Sequence, residues 1–167
     1  MPANPGIDGG VGGHWGVKDD DDWVDGRSRA MDTGPFLSSS LETESGTVLK
    51  AISIRIGEAT EAAVCFDTGS LSLRAGWTGK FLALSPKRFG LIEMPRIAGD
   101  VRFSAPAGAG WEGQKLRHRG LHLNGKRVVL AYEVDGMAVL ESPWAETAEG
   151  TTVFTRLLSK VRTMTAF

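Results

Sequence analysis

Residues 116–143 read LRHRGLHLNGKRVVLAYEVDGMAVLESP, and this stretch decides the fold. The dipeptides Asn124-Gly125 and Asp135-Gly136 tolerate the positive φ angles of a tight type I′ turn. Strand-like sequence flanks each, which predicts a three-stranded antiparallel meander. With two-residue loops, Leu123 faces Lys126, Leu121 faces Val128, Val134 faces Met137 and Tyr132 faces Val139. One face then collects Leu121, Val128, Leu130, Tyr132, Val134, Met137 and Val139, and is almost wholly apolar. The other collects His118, His122, Arg127, Val129, Ala131, Glu133, Ala138 and Leu140. A slip by one residue would destroy this sorting, so the register is strongly specified.

Working outward, TVLKAISIRI (47–56) alternates, with Val48, Ile52, Ile54 and Ile56 on one face. AAVCFD (62–67) reads as a short apolar strand. After a turn at Thr68-Gly69, SLSLRAGW (70–77) points Leu71, Leu73, Ala75 and Trp77 inward and Ser70, Ser72, Arg74 and Gly76 outward. A first short strand follows the turn at Gly34-Pro35, and another lies within Phe81–Leu84. Residues 86–113 stay undecided, because Pro95, Pro106 and many glycines interrupt any pattern. Beyond a Pro143–Gly150 loop, TTVFTRLL (151–158) is the last strand. No segment of roughly twelve or more residues carries a 3.6-residue period. The expectation is an all-β chain, an antiparallel β-sandwich or flattened barrel of about nine strands. Residues 1–35, rich in Gly and Asp, read as an extended arm that Trp15 and Trp23 pin to a single sandwich domain over 36–167.

The chain has 167 residues, enough for one domain with a proper core. Hydrophobic residues make 41% and charged residues 23%, which is ordinary globular usage. A formal charge of −1 provides no electrostatic footprint for nucleic acid. No apolar run approaches the ~20 residues of a membrane helix. The opening MPANPGIDGG lacks the basic and apolar regions of a signal peptide. Cys65 is the one cysteine, so an internal disulfide and a Cys-x-x-Cys-His haem attachment are both excluded. Inside an apolar strand, it is expected to be a buried free thiol.

The candidates for chemistry are few. Asp21, Asp25, Gly26 and Asp32 fall at offsets resembling those of a Ca²⁺-binding loop, but Trp23, Arg27 and Arg29 occupy other ligand positions. Asp21, Asp25 and Asp32 remain candidates for a looser Ca²⁺ site, against the plainer reading of a solvated acidic loop. His118 and His122, four residues apart on one face of a strand, stand ~13 Å apart, too far to share a metal without a bulge. Arg117, His118, Arg119, Lys126 and Arg127 form a basic cluster suited to a phosphate, sulfate or acidic sugar. The plainer alternative is a solvated hairpin tip, and without interleaved aromatics it is no nucleic-acid platform. Trp77, Trp111 and Trp144 are candidates for stacking on sugar rings, with core packing as the alternative. Nucleophile and phosphate-loop motifs are missing. A carboxylate pair drawn from Asp32, Asp67, Glu93, Asp100 and Glu133 is open, but no spacing selects one.

Several blocks carry a resemblance: HWGVKDDDDWVDGRS, MDTGPFLSSSLE, AISIRIGE, AAVCFDT, SLSLRAGWTGKFL, IAGDVRFSAPAG and GKRVVLAYEVDGMAVLESP. Together, from His14 to Thr155, they resemble a domain of unknown function found beside planctomycete-type cytochrome c or other haem-binding modules in large exported bacterial proteins. The resemblance implies one module of a multidomain periplasmic or extracellular protein linked to redox chemistry or polysaccharide degradation. With the all-β patterning and the missing motifs, the expectation is a non-catalytic accessory module. It implies no cofactor in this chain, any haem being held by a partner module. The expected partners are a polysaccharide or an adjacent haem-binding module. A glycoside-active enzyme and a docking domain for a haem protein are the alternatives.

Overall fold

The computed structural model describes residues 31–86, 93–108 and 110–161. Asp21 and Asp25, with most of the expected arm, lie outside the described residues. Asp32–Ala83 and Met94–Phe167 make one unit, and Met1–Met31 with Leu84–Glu93 make another. Within the latter, the Ser85 hydroxyl lies 3.3 Å from the Glu93 carboxylate.

The fold is all-β, as expected. Eleven strands stand among the described residues: β1 (Phe36–Thr43), β2 (Gly46–Ile56), β3 (Ala62–Asp67), β4 (Ser72–Thr78), β5 (Leu82–Ala83), β6 (Arg96–Ile97), β7 (Asp100–Ser104), β8 (Leu116–Asn124), β9 (Arg127–Val134), β10 (Met137–Ala148) and β11 (Thr151–Val161). The excess over about nine comes from β6 and β7, which fall in the undecided stretch. A curled seven-stranded sheet runs β5-β6-β1-β2-β3-β4-β7, and a four-stranded sheet runs β11-β10-β9-β8. Pairing is antiparallel except for a single parallel bridge, Glu42 to Arg96.

The predicted meander is β8-β9-β10, and its second hairpin has the predicted register, Val134 opposite Met137 and Tyr132 opposite Val139. Asp135 (φ 50°) and Gly136 (φ 83°) both take the left-handed conformation that a type I′ turn requires. The Asp135 carboxylate also accepts from the Gln114 and Lys115 amides at 3.1 and 2.8 Å, fixing the entry to β8. The first hairpin departs from expectation. Asn124 pairs with Arg127, so the loop is Gly125-Lys126, and Leu123 faces Val128 rather than Lys126. Only Gly125 has positive φ there, as at the first position of a type II′ turn. This shift moves each pair by two positions, which keeps Leu121 on the apolar face, opposite Leu130.

A β-bulge between His118 and Gly120 makes a second correction. The extra residue, Arg119, reverses the alternation, so His118 comes opposite inward Tyr132 while His122 lies opposite outward Val129. The two histidines therefore occupy opposite faces, not one. Similar bulges separate Val48 from Ile52, Ile54 and Ile56, and split Leu73 from Ala75 and Trp77. The expected loop over Pro143–Gly150 is also revised, because β10 continues through Pro143 to Ala148 and turns at Glu149-Gly150. The β9 ladder stops at Glu141, so Pro143 sits where one neighbouring strand has already been lost.

The main core lies between the sheets. Ile52, Ile54, Ile56, Val64 and Phe66 of one sheet meet Val128, Leu130, Tyr132 and Val139 of the other. Val48, Ala75 and Trp77, displaced by the bulges, join Leu41, Cys65 and Phe81 in a second cluster on the other face of the curled sheet. That sheet is consequently buried on both faces. Cys65 is a buried free thiol, as expected, and burial pushes it up to about 12. In β4, Gly76 lies opposite Phe103, whose ring occupies the space of the missing side chain. Gly76→Ala is therefore expected to destabilise the domain by about 1–3 kcal/mol through overpacking. Chemical denaturation checks this: Phe103→Leu in the same chain should recover part of the loss, and an unchanged midpoint for Gly76→Ala would contradict the packing.

Candidate functional site

The most buried polar arrangement ties together three strands of the smaller sheet. Glu141 has 0% exposure. The Tyr132 hydroxyl donates to Glu141 Oε2 at 2.6 Å. Arg156 donates from Nε to Oε1 at 2.6 Å and from Nη2 to Oε2 at 2.9 Å. The ladders explain why they meet. Tyr132 lies opposite Val139, Glu141 follows two residues later on the same face, and Arg156 lies opposite Pro143, two further on. Such diagonal neighbours are ~7–8 Å apart, within reach of long side chains. Burial, then the hydrogen bond to Glu141, holds the Tyr132 phenol above its usual range, so it remains a donor. The hydrogen bonds to the same carboxylate raise Arg156 further.

An aromatic column continues from Tyr132 into the sandwich. Trp111 stands edge-on to Tyr132 at 5.8 Å, Tyr132 stacks on Phe66 at 5.9 Å, and His118 lies 6.2 Å from Phe66. Trp111 Nε1 and His118 Nδ1 are buried here without a hydrogen-bond partner. The structure thus assigns Trp111 and His118 to packing around the column. Trp77 is fully buried and donates its indole N–H to the Phe81 carbonyl at 2.8 Å, so its ring has no surface to offer a ligand.

The expected basic cluster is spread along the first hairpin. Arg119 pairs with Glu133 at 2.7 Å. Exposed Arg117 lies roughly 23 Å of strand from Asn124. Lys126 at the tip pairs with Glu58 in the turn between β2 and β3, whose carboxyl the hydrogen bond to Lys126 holds low. His122 is exposed on the outer face. Asp32 accepts from the Gly34 amide at 2.8 Å, an ordinary turn contact. Among the described residues, no group of three or more His, Cys, Asp or Glu side chains could hold a metal. The carboxylates considered as a pair have separate partners: Asp67 takes Ser70 and Arg74, Glu133 takes Arg119, and Asp100 takes Arg102.

Arg127 and Trp144 do come together. Continuing the β9–β10 register beyond Glu141 sets them opposite each other, and the guanidinium lies 3.9 Å from the centre of the indole ring. Trp144, 8% exposed, closes the edge of the core and floors a groove on the outer face of the four-stranded sheet. Asn124, Ser142, Glu146 and Leu157 also line it. Ser142 is 7% exposed and its hydroxyl is buried without a hydrogen-bond partner. Sequence reasoning named Arg127 and Trp144 separately. It missed Ser142 and the Tyr132–Glu141–Arg156 tie, although a glutamate at inward parity, two residues after Val139, was the available signal.

Residues 64–141 match a domain of unknown function, DUF6797. No curated protein and no solved structure matches the chain. The DUF6797 match opens at Val64 in β3 and closes on Glu141 in β10. It includes Arg127 and Tyr132, while Ser142, Trp144 and Arg156 lie beyond it. No helix among the described residues is long and apolar enough to cross a membrane.

His118 supplies a test of the column. Burial holds its imidazole below the ordinary 6.5, so the folded chain refuses a proton that the unfolded chain accepts. This contribution to stability is complete above about pH 6.5 and is lost as pH falls through the folded value. Calorimetry from about pH 7 to about pH 5 should show a smaller fall in Tm for His118→Gln than for the parent chain. Equal falls would contradict the placement of His118.

Proposed function

We propose that this chain is a non-catalytic binding module of an exported multidomain protein, and that its ligand is a polysaccharide bearing sulfate or carboxylate groups. The observation that carries this is the Arg127 guanidinium over Trp144, with the unpartnered Ser142 hydroxyl in the same groove. A guanidinium held over an aromatic ring is pre-organised, and its N–H edges suit paired acceptor oxygens. Leu157 offers an apolar wall, while Asn124 offers hydrogen bonds to sugar hydroxyls. The exported setting, and its link to redox chemistry or polysaccharide degradation, rests on the resemblance of the sequence blocks rather than on this geometry. The carboxylates considered for glycoside cleavage have separate partners, Asp67 with Arg74, Glu133 with Arg119 and Asp100 with Arg102.

Isothermal titration against sulfated, uronate-containing and neutral polysaccharides tests the proposal. The acidic polymers should bind, and more weakly at high salt. Arg127→Ala should weaken them by roughly tenfold, as expected for loss of a charge-assisted pair. Absence of binding to every polymer, or equal binding by Arg127→Ala, would count against it.

A further inference from the structure

The smaller sheet ends on β11, an edge strand of eleven residues. Its register with β10 is unbroken from Ala138–Val161 to Ala148–Thr151, so no bulge bends it away from an approaching strand. Its sequence, TTVFTRLLSKV, contains no Pro or Gly. Edge strands are usually blunted by brevity, charge, proline or bulges, because their free N–H and C=O groups otherwise template pairing with another chain. The other edges here carry those defences. β8 is bulged and bears Arg117, Arg119 and His122. β5 has two residues, and β7 is short, bulged against β4 and charged at Asp100 and Arg102.

By contrast, β11 exposes Val153 (54%), Leu157 (68%) and Leu158. Its Arg156 is committed to Glu141, which leaves Lys160, one residue from the strand's end, as its other charge. Among the described residues, only β10 pairs with it.

We infer that β11 docks antiparallel against β11 of a second copy, with Thr155 on the two-fold axis, joining the two four-stranded sheets into one. Side-chain pairing argues for self-association. In this register Leu157 faces the partner's Val153, and Thr155 faces the partner's Thr155, both favourable cross-strand pairs. Arg156 faces the partner's Phe154, and Lys160 passes the end of the paired segment. Centring on Arg156 would instead set two guanidinium groups opposite each other. Thr155 and Leu157 also line the Trp144 groove, so pairing would bring the two grooves side by side across the new seam. The inference stands whether or not the groove binds a polysaccharide.

Sedimentation velocity on the full chain over a range of concentrations, with two variants, provides the test. The parent chain should form a dimer. Leu157→Lys should be monomeric with an unchanged circular dichroism spectrum, because that side chain lies in solvent. Thr155→Cys should give a disulfide-linked dimer on mild oxidation, against the silent background of buried Cys65. A monomer at every concentration would leave the edge to some other chain and overturn the proposal. So would a dimer that survives Leu157→Lys and fails to cross-link through Thr155→Cys.

Discussion

A carboxylate with no access to water sets the terms for the smaller sheet. Glu141 on β10 is satisfied only when β9 supplies Tyr132 and β11 supplies Arg156. Removing one partner of a buried ion pair typically costs about 3–5 kcal/mol, because the remaining charge stays buried and uncompensated. The tie therefore works less as a reservoir of stability than as a condition on geometry. With β11 away from β10, the inward face of the sheet would hold a bare carboxylate. The groove beside Trp144 lies on the other face of these same strands, and its walls are as fixed as their pairing.

The two sheets have unequal freedom. The seven-stranded sheet packs Ile54 and Phe66 on one face and Cys65 and Trp77 on the other, so both its faces carry buried side chains. The four-stranded sheet has one face against the core and one open. On the open face a cation–aromatic stack, an unpartnered hydroxyl and the exposed Leu157 side chain collect. The proposed interaction surface lies on that open face. The DUF6797 match crosses this surface, including Arg127 and ending before Trp144.

Much of this architecture was legible in residue order. Asp135-Gly136 set the register of the second hairpin, and the alternation of Leu130, Tyr132 and Val134 named the inward face. Running that register seven residues outward would have paired Arg127 with Trp144. Pro143 concealed this, because a proline reads as the end of a strand unless the loss of one neighbouring strand is known. The bulges were not legible. Each depends on one extra residue such as Arg119 or Arg74, whose side chain gives no sign of the change in alternation, yet each moves a histidine, valine or tryptophan to the opposite face. The Glu149-Gly150 turn was hidden for a related reason: glutamate seldom takes positive φ, and the long ladder on either side imposes it.

The dependence of β11 on Glu141 is most directly accessible to amide hydrogen exchange in Glu141→Gln. That substitution keeps the shape of the side chain and removes the charge that orients Arg156. The amides of β11 bonded to β10 should lose protection, while those of β2 and β3 keep theirs. Unchanged protection along β11 would contradict the account.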